Sequence, residues 1–123
     1  MQEKIETITI NNVEYVRKDQ FKTSPVINTD GLKCCIVRAR SAGVFYGFIE
    51  KKDGQEVTLV NARRMWQWYG ASLSELAQDG TPDKTKCKFP QEVDRVIILE
   101  VIEILDLTTR AKASLDEVAI WKA

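Results

Sequence analysis

Two adjacent arginines, Arg63 and Arg64, follow Asn61 and precede Trp66 and Trp68 in the run NARRMWQW. Guanidinium groups grip phosphates and carboxylates in fixed geometry, an amide donates and accepts, and an indole offers a flat apolar face. That set suits the holding of a phosphorylated, base-bearing molecule. It does not suit the turnover of one. The chain contains no histidine, which removes the commonest general base, the Ser–His and Cys–His nucleophile pairs and the commonest metal ligand. The carboxylates are scattered, and no Walker loop, G-x-G-x-x-G, nucleophile elbow or zincin pattern occurs. The expectation is therefore no catalytic residue, no metal and no cofactor. The enzymatic alternative would use Glu50 or Asp53 as a base on a nucleotide.

The elements that must carry these groups are legible around them. Asp53-Gly54 marks a hairpin between Val44–Lys52 and Gln55–Trp68, because Asp-Gly supplies the positive φ of a tight turn. A two-residue loop there sets Phe48 opposite Leu59, Tyr46 opposite Asn61, Val44 opposite Arg63 and Phe45 opposite Ala62. One sheet end then gathers Tyr46, Asn61 and Arg63, either as a nucleotide-binding rim or as a plain rim with Arg63 in a surface ion pair. Trp66 and Trp68 share a side if the strand persists, as core, subunit interface or ligand face. Ser41-Ala42-Gly43 is a small-residue turn that admits close approach to the backbone. Ser72 and Glu75 form a capping box for a helix over 73–78, ended by Gly80. Gly70 and Ala71 leave room at that helix start for an anion, although most such termini hold only their own cap.

Further along, Lys84, Lys86 and Lys88 alternate in a proline-bounded loop, as a phosphate-facing row or a solvated edge. Residues 95–99 and 101–105 are rich in Ile and Val and predict two strand segments. Residues 108–115 predict a short helix and 118–121 a last strand. Lys33 to Arg40 predicts a strand with Arg38 and Arg40 on one face and Val37 and Ala39 on the other. At the N-terminus, residues 5–10 and 13–17 alternate around Asn11-Asn12 and predict a hairpin. Residues 18–31 read as a connector. Two parts result: an arm and connector over 1–32, and a ligand-binding body over 33–123.

Composition bounds the whole. In 123 residues, 44% hydrophobic and 29% charged, there is enough chain for one core. Eighteen basic residues balance eighteen acidic ones, so no global field draws DNA, RNA or an anionic membrane. Cys34, Cys35 and Cys87 have no C-x-x-C spacing and read as buried thiols of a reducing cytosol. The fold class expected is α+β: a mostly antiparallel, curved sheet with two short helices in a single domain.

The segments RARSAGVFYGFIEKKDGQEVTLVNARRMWQWYGASLSELAQDGT, CKFP and VAIWKA resemble a family of small bacteriophage proteins that counter Thoeris, a bacterial immune system. The resemblance covers about residues 33–123. It implies a sponge rather than an enzyme: a protein that sequesters cyclic ADP-ribose-type signals made by TIR proteins, and cyclic trinucleotides, in the cytoplasm of the infected bacterium. It also implies a homodimer that builds a larger homo-oligomer, a hexamer, with ligands between subunits. Matching the family's motifs implies Asn61 and Arg64 as polar ligand contacts and Phe45 or a nearby tryptophan as stacking surface. With the residues gathered around them, the expected ligand set is Gly43, Val44, Phe45, Asn61, Arg63, Arg64, Trp68, Gly70 and Ser72.

Overall fold

A computed structural model describes residues 7–10, 13–16 and 25–122. In chain order the elements are β1 (Thr7–Ile10), β2 (Val13–Val16), β3 (Cys34–Ala39), β4 (Gly43–Asp53), β5 (Glu56–Arg64), α1 (Leu73–Asp79), a 3-10 turn (Lys84–Lys86), β6 (Val93–Ile98), β7 (Val101–Asp106) and α2 (Thr109–Asp116). β1 and β2 pair antiparallel with Ile10 opposite Val13, the ribbon that the alternation predicts. Its Asn11-Asn12 turn, and residues 18–24 of the connector, lie outside the described residues. The other strands form one antiparallel sheet in the order β6-β5-β4-β3-β7.

That order forces the sheet to curl. β6 and β7 stand at opposite edges, yet only Leu99 and Glu100 join them. Four flat interstrand gaps of about 4.8 Å would separate the edges by about 19 Å. Three Cα steps of about 3.8 Å reach only about 11 Å. The edges therefore converge at this corner without pairing, and Glu100 takes a φ of 57° to make the bend. Two bonds fix it: Arg40 N–H donates to Glu100 O and Val101 N–H to Gln55 O, each 2.9 Å.

A curled sheet has an inside and an outside, and both are filled. Inside lie Cys35, Val37, Phe45, Val57, Leu59 and Ile98. Outside, Cys34, Ile36, Tyr46, Phe89 and Leu107 pack under Leu76 of α1 and Leu115 of α2. Burying a side chain such as Leu76 or Phe89, each 0% exposed, stabilises by roughly 1.5–3 kcal/mol. The adjacent cysteines thus point to opposite cores, and all three thiols are buried and unpaired with each other. Thr108 joins the two helices: it caps α2 by accepting from Ala111 N–H (3.0 Å) and donates its hydroxyl to Gln78 O at 2.7 Å.

The β4–β5 hairpin departs from the expected register. Asp53 pairs with Glu56, so the loop is Gly54-Gln55 rather than Asp53-Gly54. Glycine takes the first loop position with φ 62°, where a tight hairpin needs positive φ. Two bulges follow. Glu50 is extra on β4, between the pairs Lys51–Thr58 and Ile49–Leu59. On β5, Asn61 and Ala62 together face Gly47, between the pairs Phe48–Val60 and Tyr46–Arg63. Asn61 adopts φ 51° there. A Cβ on Gly47 would sit 2.9 Å from the Ala62 Cα, so only glycine lets the bulge close. The result pairs Tyr46 with Arg63 and Phe45 with Arg64, replacing the expected Tyr46–Asn61, Val44–Arg63 and Phe45–Ala62 pairs.

β5 also ends at Arg64, short of the expected Trp68. The two tryptophans consequently part company: Trp68 packs half-buried on the outer core, while Trp66 is exposed and stacks on Trp121 with ring centroids 6.2 Å apart. The expected last strand over 118–121 shrinks to one parallel bridge, Phe89–Ile120. The 3-10 turn breaks the lysine row. Lys84 meets Glu117 at 3.4 Å, Lys86 lies over Tyr69 and Lys88 over Trp121.

Candidate functional site

The bulge gives the two adjacent arginines opposite fates. Arg63 turns to the outer face and is 6% exposed. Its guanidinium donates to the carbonyls of Pro90 (3.1 Å), Val118 (3.1 Å) and Phe89 (2.9 Å). It also lies 5.3 Å from the Phe89 ring centroid. A planar fork of this kind gives the Pro90 and Val118 carbonyls a donor and shares the Phe89 carbonyl with Trp121 N–H (2.9 Å), tying the 89–90 and 118 segments to β5. Beside it, burial and the neighbouring Asp116 carboxylate hold the Tyr46 phenol well above its usual range, and its hydroxyl donates to Asp116 at 2.9 Å. Arg63 is thus a structural tie, and the expected ligand role is corrected: its donors are already engaged.

Arg64 faces the other way and is exposed. Its guanidinium carbon lies over the Phe45 ring, 4.3 Å from the centroid, and one nitrogen donates to Ala42 O at 2.5 Å. Phe45 itself is 3% exposed. Its ring is covered, with the Arg64 guanidinium over it, so the stacking role expected of Phe45 is not open to it. The remaining donors of Arg64 meet no acceptor among the described residues. The guanidinium fronts a groove of about 440 Å³ lined by Ser41, Ala42, Phe45, Arg64, the apolar residues 96–99 and the exposed carboxylate-bearing Glu100. The groove lies at the corner where β6 turns into β7, with exposed Ile97 and Leu99 on its wall.

Of the expected ligand set, the fold brings Gly43, Phe45 and Arg64 together. A Cβ on Gly43, at φ 97°, would approach the Arg64 guanidinium to 3.9 Å. Val44 is half-buried against the outer core. Asn61 is exposed and donates to Glu92 at 3.3 Å. Gly70 is a close-packing position, where a Cβ would meet Glu75 and Leu76 at 3.2 and 3.3 Å. Ser72 caps α1 by accepting from Glu75 N–H at 3.2 Å, and the Glu75 carboxylate accepts from Ala71 N–H at 2.5 Å. The protein's own carboxylate therefore occupies the helix start proposed as an anion site. The groove wall over 96–100 was not legible in the sequence, since it depends on the corner that joins the two edges.

Other cavities are chemically less apt. One of about 480 Å³ is lined by Ser74, Gln78, Glu103 and Asp106. Its carboxylates are already paired, Glu103 with Arg38 (2.8 Å) and Asp106 with Lys33 (3.3 Å), and no cation lines it. Another, of about 270 Å³, presents Glu92, Lys112 and Asp116. There Lys112 and Asp116 satisfy each other at 2.6 Å. Among the described residues no cluster of three or more His, Cys, Asp or Glu could hold a metal. Glu50, the carboxylate considered as a base, is paired with Arg95 at 2.8 Å.

Residues 32–115 match the model of the family described as Domain of unknown function (DUF6948). The chain belongs to that family. No curated protein and no solved structure matches the chain. The family segment runs from just before β3 into α2, so it contains the five-stranded sheet, α1, all but the last residue of α2 and the groove at Arg64. Among the described residues no helix is long and apolar enough to cross a membrane.

Proposed function

We propose that this protein binds and sequesters cyclic nucleotide immune signals without degrading them, as a phage anti-defence protein acting against Thoeris in the infected cell. The signals are glycocyclic ADP-ribose and cyclic trinucleotides. The observation that carries the reading is the Arg64 guanidinium held over Phe45 at 4.3 Å beside a groove of about 440 Å³. A purine stacks on the open side of such a plane, while its free N–H groups take a phosphate oxygen. The volume is within the range of small-molecule sites. The chain's lack of histidine suits capture without turnover. In this reading the protein works as a homodimer within a hexamer, and needs neither metal nor cofactor.

The test is to mix the protein with a TIR-enzyme product mixture and, separately, with cyclic trinucleotides, then filter, heat the retained fraction and identify what is released by mass. Intact cyclic nucleotide, lost in Arg64→Ala, supports the reading. An altered nucleotide makes the protein an enzyme instead. An empty fraction favours a second reading, an assembly protein. That reading draws on the Trp66–Trp121 stack, whose rings are 63% and 42% exposed and so suit a protein interface.

A further inference from the structure

The tryptophans and the lysines of the proline-bounded loop meet on a second surface, which shares no residue with the lining of the groove at Arg64. Three short segments lie side by side there. Gln67 and Lys88 exchange two backbone bonds of 3.1 and 2.7 Å, and Trp121 N–H donates to Phe89 O at 2.9 Å. Opposite residues of an antiparallel pair share a face, so extending the Gln67–Lys88 pairing by two residues sets Lys86 beside Tyr69. The side chains follow. The Lys86 ammonium lies 4.5 Å from the centre of the Tyr69 ring, and that of Lys88 lies 5.6 Å from Trp121, which stacks on Trp66. All three rings are exposed. The nearby carboxylates are engaged elsewhere, Glu117 with Lys84 at 3.4 Å and Asp83 with the Thr85 N–H and hydroxyl at 3.0 and 2.5 Å. Neither Lys86 nor Lys88 has an ion-pair partner among the described residues.

We propose that this surface binds single-stranded nucleic acid, with bases stacked on Trp66, Trp121 and Tyr69 and phosphates met by Lys86 and Lys88. It is a second activity, independent of capture in the groove, and its ligand is a linear chain. A total charge of zero rules out a long-range field, but paired contacts need cations only within a screening length of about 8–10 Å. The lysines decide the class of partner. Exposed rings alone would also suit a protein, yet lysine is depleted at protein interfaces, where its ammonium must be desolvated. A phosphodiester neutralises that ammonium and releases a counterion. Rings and cations interleaved on one face suit a single strand of any sequence, because every base has a π face and every nucleotide a phosphate. A duplex hides its base faces and cannot use the rings.

The experiment is fluorescence anisotropy of labelled oligo(dT) and oligo(rU), each about 12 nucleotides long, and of a duplex of that length, titrated with the full chain. Both single strands are expected to bind in the micromolar range, and the duplex at least about tenfold more weakly. Two phosphate contacts give a slope of log affinity on log salt near about −1.4. Trp66→Ala should weaken the single strands about tenfold or more, and Trp66→Phe should restore most of the loss. Lys86→Gln should roughly halve the slope. Trp66→Ala should keep the wild-type urea midpoint and its retention of cyclic nucleotide. Single strands that fail to bind, or that bind Trp66→Ala as tightly as the wild type, overturn the proposal. Loss of the strand in Arg64→Ala with none in Trp66→Ala places it in the groove and also overturns it. A chain that binds no oligonucleotide but sediments as a smaller species in Trp66→Ala uses the surface for self-association instead.

Discussion

Arg63 and Arg64 are identical side chains on consecutive residues of one strand, and they do opposite work. Arg63 lies 6% exposed among three backbone carbonyls, and Arg64 lies exposed on a buried ring. Alternation along a strand would put any neighbouring pair on opposite faces. Here the two faces differ in kind, because helices and the 89–90 segment cover the outside while the corner at Leu99-Glu100 leaves the inside open at one end. The position of a guanidinium relative to that corner, not its chemistry, decides whether it is buried on carbonyls or left open to the groove.

The most severe way to test this contrast is Arg63→Ala. The Pro90 and Val118 carbonyls would lose their donor while Phe89 O keeps Trp121 N–H, and the Phe89 ring would lose its cation. Each unsatisfied acceptor costs about 1–3 kcal/mol. With some water entering, we expect a loss of about 3–4 kcal/mol in urea unfolding, a large share of a small domain's stability. A loss under about 1 kcal/mol would mean that the 89–90 and 118 segments hold themselves, and the contrast would collapse.

Next in size is Gly47→Ala. Its Cβ would lie 2.9 Å from one Ala62 backbone atom and 3.2 Å from the Val60 carbonyl oxygen. Backbone cannot swing aside as a side-chain tip can, so about 1–3 kcal/mol should be lost. Because the bulge sets which arginine faces inward, nucleotide retention should fall along with the urea midpoint. Unchanged retention in the folded variant would show that the Phe45–Arg64 pair does not depend on the bulge.

The two cores can be compared through their thiols. Burial pushes Cys34 up from 9.0 to about 12, and burial followed by the Asp106 carboxylate does the same to Cys35. Between these values the unfolded chain releases thiol protons that the folded chain keeps. Stability is thus fully present below pH 9 and is lost as pH rises towards 12. Urea midpoints should fall between pH 8 and 10.5, and less steeply in Cys34→Ala and in Cys35→Ala. If only Cys34→Ala flattens the curve, the inner core is reached by water through the groove.

Much of this architecture could be read from residue order. The strands at Cys34–Ala39 and on either side of Leu99-Glu100 follow from Val/Ile runs, and α1 from Ser72 and Glu75. What escaped was register. Asp53-Gly54 correctly marks a hairpin, but the loop slides by one residue and two bulges follow. Bulges depend on tertiary fit, here a glycine allowing close approach by a neighbouring strand, and a pairing scheme counted outward from a turn carries every slip along. The same limit governs the site. Arg64 and Phe45 were both singled out, yet their pairing came from the bulge, and the groove wall came from two sheet edges meeting.

Arg64→Ala should cost only about 0.5–1 kcal/mol, the worth of an exposed cation–π contact with one surface bond, while nucleotide retention falls at least tenfold. Unfolding of this variant would make Arg64 a lid on the inner core and erase its difference from Arg63.

The smallest stability change is expected at Asn61, and it discriminates most finely. Asn61 sits at φ 51°, a conformation that asparagine tolerates and glycine adopts freely. Its amide donates only a 3.3 Å bond to Glu92 at the surface. Asn61→Gly should therefore keep the bulge and change stability by a few tenths of a kcal/mol, whereas Asn61→Ala keeps the Cβ but loses the local hydrogen bonding by which asparagine tolerates positive φ, and should cost about 1 kcal/mol. Retention separates backbone from side chain. If Asn61→Gly holds nucleotide as the wild type does, Asn61 shapes the strand and the site belongs to Arg64 and its turn. If it folds normally but loses the nucleotide, the amide touches the ligand, and recognition extends across the bulge to the side of β5 where Arg63 lies buried.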